Sequence, residues 1–309
     1  MPKTIPAHEE RRRVLTQKHK RPYGARVRVH LTDESSFGYP DRASILFEDG
    51  TVLTTEVTQI APWLGGVAYE LTLNGFASAT AAEGAGRRLT TSVLWSCISL
   101  DVAVRLDYTT LFPARVFDRT QSRGMRSQAF GVAGWPTSRV VTELTEVHSA
   151  LNDVSPNVAL SMEIFAGAKM EVSERAKFVA TVSALEPLAA PTALGDDVNQ
   201  FVTEALDLLR GKDSIEKTVK ESLRGRLRHL KTESIRQALL RVARQLLPGD
   251  TDAEQVIDRA YSLRSELVHA GHVTNQDLNL EEERIRVSRV IRRLYASELK
   301  LPLAKPLCG

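Results

Sequence analysis

The residues best suited to chemistry in this sequence are an arginine and a histidine near its C-terminal end. Arg264 and His269 lie in residues 261–272 (YSLRSELVHAGH). A guanidinium binds the non-bridging oxygens of a phosphate, and an imidazole gives or takes a proton near neutral pH. The pair therefore suits a phosphodiester, with Arg264 stabilising a pentavalent phosphorane and His269 acting as general acid or base.

The spacing of the pair limits how both side chains can reach one phosphate. Helix positions five apart differ by about 140° around the axis. Either the helix must end or loosen around His269, where Gly271 predicts a left-handed cap, or two copies must supply one site jointly. The competing interpretation is structural, because the negative end of the helix dipole favours Arg and His there without any function.

Three further residues are candidates for a supporting role. Glu186 lies among apolar neighbours, so its carboxylate needs a partner, and we expect Arg264 to be that partner. The alternative for Glu186 is a partly exposed helix end beside Pro187. Ser265 offers one hydroxyl donor next to the arginine. His272 offers a second imidazole, or it is a solvated loop histidine.

Basic residues are concentrated in two parts of the chain. Residues 224–244 hold seven Lys and Arg against Glu233, which predicts a groove for an RNA backbone. No aromatic residue interleaves with them, so base stacking is not indicated. The last predicted helix mixes Arg with Glu, which favours ion pairs on a solvated face or an interface. The candidates for RNA contact are Arg224, Arg226, Arg228 and Lys231.

The N-terminal segment is basic as well. Residues 3–28 hold nine Lys and Arg against Glu9 and Glu10. We expect residues 1–22 to form a basic flexible arm that either binds an anionic partner such as nucleic acid or is only a solvated tail.

Residues 23–140 have the pattern of an α+β domain. Asp49-Gly50 between two apolar runs predicts a hairpin, and residues 25–30 and 67–73 alternate as strands do. A long helix is predicted from about Ala81 to about Leu106. We therefore expect a small antiparallel sheet packed on one long helix.

Residues 141–309 are predicted to be an all-α helical bundle, because nearly every window has helical periodicity. Pro187 should kink or end the helix in which it lies. Residues 211–222 are polar and are predicted to be a linker or surface turn. The main predicted helices span residues 174–190, 197–210, 223–247, 252–270 and 280–299.

Composition excludes several classes of protein. The chain has 309 residues with 42% hydrophobic and 26% charged, which is typical of a globular protein of about two domains. No apolar run approaches the roughly 18 residues that cross a bilayer. The two cysteines fit neither a disulfide framework nor a zinc site, and they favour a reducing cytoplasm. No phosphate loop or metal-ligand cluster is present, so we expect no cofactor and no metal.

Residues from about 150 to 300 resemble a HEPN domain, and within that superfamily the Apea-like branch. Residues 159–165 (ALSMEIF) resemble its first helix, and residues 176–188 resemble its second helix with a Leu-Glu pair. Residues 261–271 (YSLRSELVHAG) resemble its late signature. The ribonuclease motif of the superfamily falls on Arg264 and His269.

The resemblance implies a metal-independent endoribonuclease in which the ribose 2′-hydroxyl attacks the adjacent phosphate. It implies a homodimer whose two motifs face each other in one cleft, and a role in antiviral defence or toxin–antitoxin systems. The N-terminal domain would then sense a trigger or choose the RNA. Ser265 departs from the Asn, His, Asp or Lys frequent in active members. That departure keeps two alternatives open: a non-catalytic dimerisation or RNA-binding module, and a regulator that contacts a protein partner.

Overall fold

The chain folds into an antiparallel sheet followed by a helical region, in a computed structural model that describes residues 3, 4, 6, 9, 20–32, 42–47, 49–61, 66–106, 114–120, 139–275 and 278–304. This is the predicted α+β arrangement followed by helices. The sheet has the order β1-β3-β4-β5-β2, and the far edge of β2 pairs with both β6 and β7. Its strands are β1 (Lys3–Thr4), β2 (Tyr23–Thr32), β3 (Arg42–Leu46), β4 (Val52–Ala61), β5 (Gly66–Phe76), β6 (Val104–Leu106) and β7 (Ala114–Asp118).

The predicted hairpin joins β3 and β4. Gly50 has a φ of 80°, and Asp49 Oδ1 accepts a hydrogen bond of 2.9 Å from the amide of Thr51. An Asp-Gly turn allows this because glycine adopts positive φ without steric cost. The local turn chemistry was therefore sufficient to predict this connection.

The long helix is shorter than predicted. It is α1 (Ala79–Ser99), it is capped by Ser78, and the chain leaves it through Asp101, whose φ is 62°. The prediction that the helix continues to Leu106 is wrong, because residues 104–106 pair with β2 as strand β6. The apolar residues after Ser99 would be buried whether they continued the helix or formed a strand. They form a strand because the edge of β2 offers backbone groups for pairing.

The helical region holds the predicted helices with two corrections. The prediction of one helix over 223–247 is wrong, because residues 230–234 separate two helices. The first of these two helices begins at Lys217, inside the stretch 211–222 that was predicted to be a linker or surface turn. Pro187 lies beyond the end of its helix, in the 3₁₀ turn Glu186–Leu188. The helices are α2 (Arg139–Ala150), α3 (Pro156–Ala168), α4 (Glu174–Ser183), α5 (Asp196–Arg210), α6 (Lys217–His229), α7 (Ile235–Leu246), α8 (Thr251–Ala270) and α9 (Leu280–Leu299).

One apolar core runs from the sheet into the helices. Helix α1 packs on β2, β5 and β7 and also contacts α2 and α3, so fully buried Trp95 belongs to the same core as Tyr295 of α9. Arg292 Nη2 donates to the carbonyl of Ser99 at 2.8 Å. The predicted domain boundary at residue 140 lies beside the start of α2, and the packing continues across it.

The predicted basic arm is described only in part. Lys3 and Thr4 pair with β3 as a strand, and Arg21 Nη1 lies 3.4 Å from the carbonyl of Asp49. Most of the arm's basic residues, Arg11 to Lys18, lie outside the described residues. In the part of the chain that the structure describes, no helix is long and apolar enough to cross a membrane.

Candidate functional site

Helix α8 carries both motif residues and ends as predicted. Asp250 caps its N-terminus by accepting from the amide of Ala253 at 3.0 Å. Gly271 terminates it with a φ of 75° and donates to the carbonyl of Leu267 at 3.1 Å. His269 therefore lies in the last turn, where the helix dipole favours a positive charge.

Arg264 points from α8 towards the turn that follows α4. Its Nη2 lies 3.0 Å from Glu186 Oε1, with 21% of the arginine side chain and 33% of the glutamate side chain exposed. The same nitrogen lies 3.5 Å from Ser183 Oγ. The contact predicted between Glu186 and Arg264 is present, and the half-buried ion pair holds the guanidinium in one orientation.

The hydrogen-bonding capacity of Arg264 is not fully used. Its Nε is buried and has no hydrogen-bond partner among the described residues. A buried donor without a partner costs about 1–3 kcal/mol. The guanidinium therefore retains a donor for an added anionic group, provided that the surrounding side chains move to admit it.

His269 lies on another side of α8, in an open pocket of about 400 Å³. Tyr261, Ser265 and His269 line this pocket at i, i+4 and i+8, which places them on one helix face. His269 is exposed. Neither its imidazole nor the hydroxyls of Tyr261 and Ser265 has a hydrogen-bond partner in the described part of the chain, so all three are free to meet a ligand. The remaining lining residues are Arg236, Ser262 and Glu266.

Two charged groups of the pocket are already engaged. Arg236 of α7 forms a bidentate pair with Asp258, with distances of 2.5 and 2.6 Å. This contact raises the pKa of Arg236 and lowers the pKa of Asp258. Glu266 accepts from the amide of Thr274 at 2.9 Å. The free groups of the pocket are therefore those on the face of His269.

Within one chain, Arg264 and His269 do not converge. The helix is regular through His269 and ends one residue later, so the two side chains keep the angular separation of about 140° expected for that spacing. Arg264 does not line the pocket of His269. The helix ends beside His269, as one of the two arrangements considered requires, but its end does not bring the two side chains together within one chain.

His272 lies past the helix end and is exposed. Its Nδ1 is 2.9 Å from the carbonyl of Ala270. This contact fixes the ring beside the terminus of α8, so His272 stays near His269 without lining its pocket.

The four residues predicted to contact RNA do not form one surface. Arg224 and Arg228 share a flank of α6 with Lys217, because positions i, i+7 and i+11 fall within about 40° around a helix, and Lys231 lies in the turn that follows the helix. Arg226 lies on the opposite flank by the same geometry. None of the five has a carboxylate partner among the described residues, and α6 has no fully buried residue.

The remaining basic residues of 224–244 are neutralised. Their partners are Asp258 for Arg236, Glu233 for Arg241 and Glu254 for Arg244, all within hydrogen-bonding distance. Most arginines of α9 form ion pairs too, as the sequence predicted: Arg284 contacts Glu174, Arg286 contacts Glu283 and Arg293 contacts Asp250. Among the described residues of the helical region, cations without a carboxylate partner are therefore most numerous on α6 and in the turn that follows it.

Sequence reasoning missed several residues of the site. The spacing of Tyr261, Ser265 and His269 would have grouped these three on one face. Arg236 gave no such signal, since it reaches the pocket only through the packing of α7 on α8. Ser183 likewise meets Arg264 only through tertiary structure.

No group of three or more His, Cys, Asp or Glu that could hold a metal ion occurs among the described residues. Comparisons of this chain with family models, curated proteins and solved structures found no match.

Proposed function

We propose that the chain is a HEPN-like, metal-independent endoribonuclease that acts as a homodimer in the cytoplasm, in antiviral defence or toxin-type growth arrest. The observation that supports this most is the arrangement at the end of α8. Arg264 is oriented by Glu186, and His269 ends the same helix, exposed and without a partner among the described residues. An anchored cation can stabilise the charge that develops on the phosphate during phosphodiester cleavage, and a free imidazole can exchange the protons.

A composite site would divide the chemistry between two copies. Arg264 of one copy holds the non-bridging oxygens of the scissile phosphate, and His269 of the other takes the proton from the attacking 2′-hydroxyl and gives a proton to the leaving 5′-oxygen. The 2′-oxygen loses its proton and forms a bond to phosphorus, the bond from phosphorus to the 5′-oxygen breaks, and the 5′-oxygen gains a proton. The products are a 2′,3′-cyclic phosphate and a 5′-hydroxyl. Glu186 is a positioning residue here, and Ser265 and His272 lie near His269 as supporting donors.

The cation flank of α6 supports RNA as the substrate. Lys217, Arg224 and Arg228 extend along about 16 Å of helix at 1.5 Å per residue, and Lys231 follows in the turn after the helix. A row of such cations binds the phosphate backbone without sequence preference, and the binding weakens as the salt concentration rises because counterion release then gains less free energy. The N-terminal sheet would then act as the sensor that permits or directs cleavage.

The proposal is tested by incubating the purified full chain with total RNA in EDTA. We expect cleavage that survives chelation and leaves cyclic phosphate ends. Arg264→Ala and His269→Ala should each lose about a hundredfold or more of the rate. Arg289→Ala is the matched control, because Arg289 is exposed on α9 and has no carboxylate partner among the described residues; it should keep the wild-type rate.

Two results would overturn the proposal. Cleavage that needs a divalent ion would point to another mechanism. Cleavage that persists in both Arg264→Ala and His269→Ala would remove the two residues from the chemistry.

A second candidate is a non-catalytic RNA-binding or dimerisation module. The observation in its favour is that Arg264 is already paired with Glu186, while α6 carries cations without carboxylate partners among the described residues. Binding of RNA that weakens with salt, with no cleavage by the wild type, would favour this module. Charge reversal at Arg224 and Arg228 should then abolish binding.

A further inference from the structure

Helices α5 and α6 form an arm, residues 196–229, that contacts the rest of the chain mainly at its base. The two segments that enter and leave it pair side by side, since the amide of Leu194 donates to the carbonyl of Lys231 at 2.8 Å. Arg241 of α7 closes this base through the carbonyl of Ala190 at 2.8 Å and through Glu233. The arm is thus fixed in position and has little of its surface covered.

One flank of α5 is apolar with an acidic border. Phe201 is 62% exposed and Leu208 is 71% exposed, and Ala205 lies between them at helical spacing. Asp197 and Glu204 border this stripe, and neither has a cationic partner among the described residues. Exposed apolar residues in a row, rather than singly, indicate a surface that another molecule covers.

One flank of α6 is complementary to this stripe, because it combines exposed apolar residues with a positive charge. Val219 is 47% exposed and Leu230 is 51% exposed, and helical geometry places Arg226 on the same flank. Arg226 has no carboxylate partner in the described part of the chain. This flank is the one opposite to the cation row of Lys217, Arg224, Arg228 and Lys231.

We infer that two copies of the chain associate through their arms, with the stripe of α5 from one copy on the Arg226 flank of α6 from the other. A two-fold axis makes each such contact twice, as in an isologous interface. Apolar residues then meet apolar residues, and Glu204 and Asp197 meet Arg226 of the other copy. The acidic border disfavours RNA or an anionic membrane as the occupant of this stripe, and the opposite cation row stays exposed to RNA.

This inference rests on the homodimer of the proposed function and deepens it, because it names the surface through which the two copies associate. Sedimentation of the full chain over a range of concentrations gives the dimer dissociation constant. Phe201→Asp should raise that constant at least about tenfold, as truncation of an interface anchor does. Leu160→Asp is the control, because Leu160 is 48% exposed on α3 and lies outside the arm; it should leave the constant unchanged.

A charge exchange makes the test specific for the two surfaces. Glu204→Lys and Arg226→Glu should each weaken self-association, since each places like charges together twice. An equimolar mixture of the two variants should form a heterodimer, because the lysine introduced in one variant then meets the glutamate introduced in the other, and the second contact is native. Circular dichroism of each variant should match that of the wild type, which separates lost association from unfolding.

Three results would overturn the inference: a monomeric wild type, a dimer unaffected by Phe201→Asp, or single charge variants that do not recover on mixing. An intact arm dimer that fails to cut RNA would instead refute only the proposed ribonuclease. A monomeric wild type would overturn both ideas, because the composite site needs two copies, whereas each of the other results overturns only one of them.

Discussion

At the scale of single residues, the pair of Glu186 and Arg264 is the feature that ties structure to the proposed chemistry. With 21% of the arginine side chain and 33% of the glutamate side chain exposed, the ion pair is screened by solvent and contributes at most about 1 kcal/mol to stability. Its main effect is to orient a guanidinium. A positioning role and a stabilising role can be told apart by mutation. Loss of a positioning residue lowers the cleavage rate, whereas loss of a stabilising residue lowers the free energy of unfolding.

We predict that Glu186→Gln lowers the cleavage rate about tenfold or more while it changes the free energy of unfolding by less than about 1 kcal/mol. Glu186→Gln combined with Arg264→Ala should be no slower than Arg264→Ala alone, because the glutamate acts only through the arginine. Single-turnover cleavage and urea unfolding measure the two effects. Additive losses in the double variant would show that Glu186 acts independently.

His148 of α2 makes stability depend on pH. Burial, and then Arg88, lower its pKa from 6.5 to about 4. Its Nδ1 lies 3.2 Å from Ser92 Oγ, and its ring lies 4.8 Å from that of Phe47. The unfolded chain therefore binds a proton below pH 6.5 that the folded chain binds only near pH 4. Stability from this group is present above pH 6.5 and is lost as the pH falls towards 4.

We expect the free energy of unfolding to decrease between about pH 7 and about pH 4.5 by roughly 2–3 kcal/mol from this histidine, at about 1.4 kcal/mol per pKa unit. His148→Gln should flatten the dependence, and His229→Gln, at an exposed position of α6, should leave it unchanged. Urea denaturation at several pH values measures this. Equal pH dependence in wild type and His148→Gln would contradict the assignment.

At the scale of elements, the close packing of α1 on the sheet depends on one glycine. A Cβ on Gly86 would lie 2.5 Å from Ala114 Cβ and 3.0 Å from Ala25 Cβ. Those atoms belong to the strands β7 and β2. The helix can therefore approach the sheet this closely only without a side chain at this position.

Gly86→Ala should destabilise the protein by about 1–3 kcal/mol, the usual cost of overpacking. Gly84 is the control in the same helix, because a Cβ there would meet nothing within 4 Å. Gly84→Ala should be neutral or stabilise by up to about 1 kcal/mol through helix propensity. Thermal unfolding measures the stability of both variants. Equal changes in stability would show that the contact of position 86 with Ala114 does not restrict the side chain there.

Local signals predicted those elements that depend on local chemistry. The turn at Asp49-Gly50 and the end of α8 at Gly271 follow from backbone preferences, so the sequence was sufficient for them. The end of α1 depends on the edge of β2, which is remote in the chain and invisible to periodicity. The break between α6 and α7 had a signal that was missed, the capping box of Ser234 and Gln237.

The candidate site divides in the same way. The contact of Glu186 with Arg264 was predicted on the argument that a carboxylate among apolar neighbours needs a partner, and the carboxylate is also partly exposed beside Pro187, as the alternative had it. The pocket around His269 was not, since Arg236 reaches it from α7. Helical geometry alone predicted that Arg264 and His269 lie on different faces of the helix. The structure keeps them on different faces, because α8 stays regular through His269.

At the scale of the whole molecule, the shared core makes the sheet and the helices one packed body, and α8 presents its end on the surface of that body. A single copy offers an anchored arginine on one side and a free histidine on another. In the proposed nuclease, a second copy sets one beside the other. The central claim is therefore a composite site, with Arg264 and His269 supplied by different subunits.

Mixing two inactive variants tests that claim most directly. Arg264→Ala and His269→Ala, each inactive alone, are combined in equal amounts, and RNA cleavage in EDTA is measured after subunit exchange. Random reassortment makes half of the dimers mixed, each with one intact composite site, so about a quarter of the wild-type activity should return. A mixture that stays as inactive as its components would contradict a site shared between two copies.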